Sequence, residues 1–105
     1  MSLQDMKEIL ETVLEEVYHF EAWQETGEEY IIWQETGSRS FYASNVRSET
    51  VRRIQVELYT AKEYTETLEK LLKVLEDNEV AFEDPVPDYD RETKRFRYIV
   101  ECEVL

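Results

Sequence analysis

The chain has 105 residues, a length that predicts one domain and leaves little for a second. A hydrophobic fraction of 42% with 12% aromatic residues argues against disorder, and only two Gly and two Pro exclude flexible-linker and collagen-like chains. The formal net charge of −13, from 25 acids against 12 bases, disfavours specific nucleic-acid binding because phosphates repel an acidic surface.

Nothing in the sequence predicts a membrane protein or a secreted one. No apolar run approaches the roughly 20 residues needed to span a bilayer, and the charged segment 1–8 lacks the apolar centre of a signal peptide. Cys102 is the only cysteine, so no internal disulfide can form, which is usual in a reducing compartment. We therefore expect a soluble protein that stays in the cytoplasm where it is made.

An amphipathic helix over residues 3–17 is the first predicted element. Its apolar residues recur at spacings of three and four, and Ser2 and Asp5 have the spacing of a capping box. A short strand at 18–23 and a second strand at 30–36 follow, since the latter is rich in aromatic and β-branched residues.

Residues 37–49 show no clean period and are predicted to be the longest irregular segment. A loop of this length in a small domain is usually functional or mobile. The segment carries Phe41 and Tyr42, which are costly to expose unless something covers them. They are therefore candidate contacts to another subunit, with folding back onto the core as the alternative.

The strand at 50–59 and a second helix beginning at Thr60 are the clearest elements. Alternate residues of the strand are apolar, and Thr60 and Glu63 match a capping box. The buried stripe of the helix is predicted to contain Ala61, Tyr64, Leu68, Leu71, Leu72 and Leu75. Asn78 is the predicted left-handed terminator of this helix.

The C-terminal third is predicted to be mainly strand. A short strand or extended arm at 80–82 precedes an edge or loop segment marked by Pro85 and Pro87, a turn at 88–92 and a strand at 95–105. The order of elements predicts an α+β fold, in which two helices pack on one face of a mainly antiparallel sheet.

The sequence evidence for catalytic or metal-binding residues is weak. His19, the only histidine, has no sequence cue linking it to a nucleophile, and Cys102, flanked by acids, is expected in the core rather than as a reactive thiolate. Asp88, Asp90 and Glu92 resemble the start of a calcium loop, but its later required positions hold Thr93 and Ile99. We expect no enzymatic activity, no metal and no cofactor.

The charge is unevenly distributed along the chain. Residues 1–30 hold nine acids and one base, whereas residues 39–62 hold five bases and two acids. Opposite charges at two ends of a protein allow copies to meet head to tail, so Arg52 and Arg53 join Phe41 and Tyr42 as possible subunit contacts. The alternative is a solvated surface that keeps the protein soluble.

Several stretches carry a family resemblance that covers about residues 17–105. The first is Tyr-Ile-Ile-Trp-Gln-Glu-Thr-Gly-Ser at 30–38, followed by segment 40–45. The second is Ile-Gln-Val-Glu-Leu-Tyr-Thr at 54–60, which runs into the second predicted helix and then segment 81–84. Segments 18–19 and 101–104 complete the pattern. This pattern resembles prophage tail-completion or tail-terminator proteins, which act in head–tail joining in long-tailed phages of Gram-positive bacteria.

The resemblance implies a tail-terminator type of α+β fold and a structural role without catalytic residues. It further implies a ring of copies, often a hexamer, at the head-proximal end of the tail tube. The partners would be further copies of the chain, the tail tube protein and head connector proteins, in the host cytoplasm and then in the virion. The competing hypothesis is an acidic prophage-encoded inhibitor or DNA mimic that binds a host protein, which the net charge favours.

Overall fold

The computed structural model describes the backbone of residues 1–22, 24, 26–43 and 46–105, and their side chains except those of 41–49. The elements in chain order are α1 (Leu3–Glu11), β1 (Val17–His19), β2 (Glu29–Ala43), β3 (Val46–Thr60), α2 (Thr67–Asp77), β4 (Ala81–Phe82), β5 (Val86–Asp90) and β6 (Arg95–Val104). Within the described residues, neither helix has the length and apolar character required to cross a membrane.

The six strands form one sheet in the order β1-β2-β3-β6-β4, and β5 also pairs with β6. Only β1 and β2 are parallel; every other pair is antiparallel. The register places Val56 of β3 between Trp33 of β2 and Val100 of β6. Side chains alternate between the two faces of a strand, so these three residues share one face.

The main core lies between that face and the helices. Met6 and Leu10 of α1 and Leu71 and Leu75 of α2 are fully buried against it. The sheet residues in this core are Ile31, Trp33, Ile54, Val56, Leu58, Val100, Cys102 and Val104. Each large aliphatic side chain buried in this way stabilises the fold by roughly 1.5–3 kcal/mol relative to exposure.

The fold class predicted from the sequence, with a pair of helices forming a layer on the sheet as in tail-terminator proteins, is wrong. The fold is dominated by strands: β2 and β3 have 15 residues each, whereas α1 and α2 have only 9 and 11. Both predicted helices are too long, and the predicted loop at 37–49 is mostly strand. The physical reason is the long pairing of β2 with β3. This pairing places in strands residues that the local sequence pattern assigned to a loop or to a helix.

Helix α1 begins where the sequence predicts it and ends six residues early. The Ser2 hydroxyl accepts from the Asp5 backbone N–H at 3.1 Å, and the Asp5 carboxylate accepts from the Ser2 N–H at 2.9 Å, as in a capping box. The helix ends at Glu11, and the following Thr12 hydroxyl donates to the Ile9 carbonyl at 2.6 Å. The chain then turns toward β1, because Val17 pairs in register with Ile31.

Helix α2 begins at Thr67 rather than at the predicted Thr60. Thr60 is the last residue of β3, fully buried and opposite Glu29. Tyr64, predicted in the buried stripe, is 90% exposed. The capping-box pattern at Thr60 was outweighed by strand pairing, whereas Leu71 and Leu75 face the core as predicted.

Two chain reversals differ in detail from the prediction. After α2 the left-handed residue is Glu79 (φ 58°), not Asn78. The predicted turn at 88–92 begins later, because β5 extends to Asp90 and the reversal ends at left-handed Lys94. The strand predicted at 95–105 is confirmed as β6.

The sheet face opposite the helices carries a second, smaller cluster of Tyr18, Tyr30 and Tyr59. The rings of Tyr30 and Tyr59 stack with centroids 4.8 Å apart. Burial raises the pKa of Tyr59 to about 12, so its hydroxyl stays protonated and donates to the Glu57 carboxylate at 2.9 Å. This face is therefore closed by tyrosines at one end of β2 and β3.

Candidate assembly surface

Strands β2 and β3 extend beyond the rest of the sheet as a two-stranded hairpin arm, defined here as residues 37–43 and 46–51. The molecule is correspondingly elongated, with extents of 50 × 25 × 22 Å. At about 3.4 Å per residue, seven strand residues make the arm roughly 20 Å long. Among the features of the described fold, the arm is the largest one that packing of the core does not account for.

The outer edge of the arm on the β2 side begins where β1 ends. β1 pairs only with residues 31–33 of β2, and the backbone hydrogen bonding along this edge ends with the Phe20 N–H donating to the Trp33 carbonyl at 2.8 Å. Phe20 has a left-handed backbone (φ 73°), which turns the chain away from the sheet, and its side chain is 55% exposed. In the described part of the chain, no strand continues along β2 from Gln34 onward.

The outer edge on the β3 side begins where β6 ends. Val104, the last residue of β6, pairs with Arg52. Among the described strands, only β2 pairs with β3 from Val51 toward the tip of the arm. Within the described residues, the arm therefore presents two backbone edges without a strand partner, on opposite sides, which is the arrangement that templates pairing with another chain.

The arm is also the least acidic part of the chain. From Thr36 to Ser48 there is no acidic residue, although 25 of the 105 residues are acids. The bases in that stretch are Arg39 and Arg47. Two copies of charge −13 repel each other less through this segment than through the rest of their surface.

The structure places Arg52 and Arg53 on opposite faces of β3, because adjacent strand residues alternate. Arg52 lies on the helix side, where its Nη1 is 3.5 Å from the Met1 carbonyl oxygen. Arg53 lies on the other side, with its Nε 3.8 Å from the Glu103 carboxylate. The two candidate contact residues therefore do not form one patch.

Glu103 of β6 gathers two arginines at the base of the arm. Besides Arg53, it accepts from Arg39 Nη2 at 3.0 Å. These residues border a cleft of about 500 Å³ that is also lined by Ala81, Phe82, Glu83, Glu101 and Cys102. The basic stretch identified in the sequence is thus partly neutralised within the molecule itself.

Phe41 and Tyr42 lie in β2 by backbone, opposite Glu49 and Arg47, with a register shift between them. The prediction that they lie in an irregular loop is therefore wrong. Their side chains lie outside the described residues, so the contact of these rings with a neighbour stays a prediction.

His19 belongs to a small aromatic stack next to the base of the arm. Its ring lies between those of Trp33 and Phe20, with centroids 4.1 and 4.3 Å away, and its Nε2 contacts the Glu35 carboxylate. No local pattern indicated the pairing of His19 with Glu35, because the two residues meet only through the register of β1 with β2. Their contact fixes the end of β1 beside the open edge.

The other residues considered from sequence have structural surroundings. Cys102 is buried in the core as expected, and burial, with a smaller effect from Glu101, raises the pKa of its thiol to about 12. Asp88 pairs with Arg97 at 2.7 Å, and Asp90 accepts from the Thr93 hydroxyl at 2.8 Å. In the described portion, no group of three or more His, Cys, Asp or Glu side chains is arranged to hold a metal ion.

Known proteins do not help to interpret this surface. No family model matches the chain, and no curated protein matches it significantly. The geometry of the arm and its edges is therefore the main basis for a functional hypothesis.

Proposed function

We propose that this protein is a non-enzymatic assembly protein that works as one copy in a ring, completing the tail or joining head and tail in a long-tailed phage. The observation that supports the proposal most is the hairpin arm, whose two outer edges have no strand partner in the described part of the chain. Long unpaired edges expose a monomer to uncontrolled association. Two such edges are useful to a protein only when they pair with defined partners.

The phage context comes from the resemblance of the sequence to tail-completion and tail-terminator proteins. Its segments 30–38 and 54–60 fall in β2 and β3. Residues 40–43 of segment 40–45 belong to the arm, and residues 44 and 45 lie outside the described residues. The partners proposed are further copies of the chain, the tail tube protein and the head connector, met in the host cytoplasm and retained in the virion neck.

The first test is deletion of the gene from its prophage, followed by induction and negative-stain electron microscopy of the lysate. We expect filled heads beside detached tails, with tails of abnormal length if the ring stops tube growth. Complementation with the wild-type gene should restore joined particles. Normal particles in normal numbers from the deletion strain would refute the structural role.

An acidic interaction module is the second candidate, and the net charge of −13 favours it. Such a protein would bind a basic host protein and be absent from virions. Mass spectrometry of gradient-purified particles separates the two functions. Stoichiometric amounts of the chain in particles support assembly, whereas absence from particles with tight binding to a host nucleic-acid enzyme supports the module.

A further inference from the structure

We infer that neighbouring copies join edge to edge, with the β2 edge of one arm pairing with the β3 edge of the next arm. This inference rests on the proposed ring and specifies how its copies are held. The arms of all copies would then form one continuous antiparallel sheet that closes on itself as a barrel around the ring axis.

The two edges suit each other in direction. Within one arm β2 and β3 are antiparallel. When arms project the same way around a ring axis, β3 of one copy therefore lies antiparallel to β2 of the next. A joint between unlike edges is heterologous, so it uses both edges of every copy and closes into a ring when the rotation between neighbours completes a full turn. A closed barrel leaves no edge exposed.

The charge of the arm identifies a second copy as the occupant. Converging arms bring several copies close together at the axis, which a segment as acidic as the rest of the chain would resist. The stretch from Thr36 to Ser48 contains no acid, so Glu49 is the only acid of the arm, and Arg39 is bound to Glu103 of the same molecule. The arm is thus the part of this chain best suited to meet its own copies.

The backbone groups that would form the joint follow from the hydrogen bonds next to the arm. On the outer edge of β2 the Ile31 N–H donates to Glu16, and the Trp33 carbonyl accepts from Phe20, so odd residues face outward there. The bulge between Glu35 and Gly37 shifts this alternation by one residue, so even residues face outward beyond it.

Beyond the bulge, Ser38 and Ser40 therefore face outward on the β2 edge. On β3 their opposite residues, Arg52 and Thr50, face the other edge, where Arg52 is paired with Val104 and Thr50 lies beyond the end of β6. The hydroxyls of Ser40 and Thr50 lie 3.3 Å apart, which fits a close pair that exchanges no backbone hydrogen bonds within the arm. The N–H groups of Ser40 and Thr50 are thus available to a neighbouring copy.

Proline substitution at these two positions tests the joint. Because neither N–H is used inside the arm, Ser40→Pro and Thr50→Pro each remove one edge donor while the arm's own ladder remains. Ser40→Ala and Thr50→Ala are the matched controls, since they lose the same hydroxyl contact and keep the N–H. Circular dichroism and thermal unfolding establish that all four variants are folded.

Sedimentation equilibrium of the purified chain between ~10 μM and ~1 mM gives the readout. We expect oligomers larger than a dimer for the wild type and both Ala variants, and monomers for each Pro variant alone. An equimolar mixture of the two Pro variants should form a dimer and nothing larger. In that mixture, the intact β3 edge of Ser40→Pro meets the intact β2 edge of Thr50→Pro.

Three results would overturn the inference. The first is a wild-type chain that stays monomeric at ~1 mM, and the second is association of the Pro variants as strong as that of the Ala controls. The third is a dimer of Thr50→Pro by itself, which would indicate a symmetric β2-to-β2 joint. Since the deletion phenotype does not depend on these measurements, failure of the joint and failure of the phage role are distinguishable.

Discussion

At the scale of single residues, the polar contacts of Glu29 connect the sheet to the second helix. Its carboxylate, at the start of β2, accepts from the hydroxyls of Thr65 and Thr67 and lies 3.8 Å from Lys62 Nζ. Burial acts to raise the pKa of Glu29, but the hydroxyl donors and the lysine outweigh it, and the net pKa is lowered. The charged carboxylate thereby ties the first turn of α2 to the sheet.

Glu29→Gln should therefore destabilise the protein at neutral pH by about 1.5–3 kcal/mol, the range for hydrogen bonds to a charged group. A lowered folded-state pKa stabilises the protein above the unfolded value near 4.5, and this contribution is lost as the pH falls through the folded pKa. Urea unfolding of both proteins at pH 7 and in steps below pH 4.5 measures this, and we expect the difference to shrink with acidity. Glu28→Gln, which makes the same change on an exposed side chain, is the control. A pH-independent difference would contradict the assignment to the charge.

At the scale of elements, the start of α2 shows how strand pairing overrides a local signal. The sequence from Thr60 matches a helix cap, yet β3 continues to Thr60 because Glu29 is its partner across the sheet. The residues between β3 and Thr67 then form a connection in which Tyr64 is 90% exposed. The helix keeps only the part of its predicted stripe that reaches the core.

Alanine substitution distinguishes the observed α2 from the predicted one. Leu71→Ala should cost about 2–5 kcal/mol, because it leaves a cavity at a fully buried site. Tyr64→Ala should change stability by no more than about 0.5 kcal/mol, whereas a helix begun at Thr60 would bury that ring. Chemical denaturation measures both free energies of unfolding. A cost for Tyr64→Ala similar to that for Leu71→Ala would contradict this view of the connection.

At the scale of the whole molecule, net charge opposes any self-association. Each copy carries −13, so the arms must approach against repulsion from the rest of the surface. The basic residues proposed from sequence as attractive contacts are dispersed: Arg52 and Arg53 face opposite sides, and Arg53 is next to Glu103. Backbone pairing of the arm, whose only acid is Glu49, therefore accounts for the proposed assembly better than matching of charged ends.

Salt separates these two modes of association. Added salt screens repulsion between like-charged copies, since the Debye length falls to about 10 Å at 0.1 M. We expect the association constant of the wild-type chain to rise at least ~3-fold between 20 and 300 mM NaCl, because screening acts on the net charge. Sedimentation at matched protein concentrations provides the measurement. Weaker association at high salt would instead indicate a contact held by opposite charges.

Features that depend on local pattern alone were predictable from the sequence. They include the capping box at Ser2, the alternation that makes β6 a strand, and the apolar spacing that buries Leu71 and Leu75. Acidic flanks and strand alternation likewise predicted a core position for Cys102. In each case the residues that determine the outcome lie within a few positions of one another.

The features that tertiary structure decided depend on pairing between different segments of the chain. Residues 37–43 and 46–49 lack an internal period, yet they are strands because each pairs with the other across the hairpin. Thr60 ends a strand because of Glu29, and the candidate assembly edges exist because β1 and β6 end before β2 and β3 do. Strand register brings together backbones from different segments, so the residue pattern of one segment does not by itself reveal which segment it pairs with.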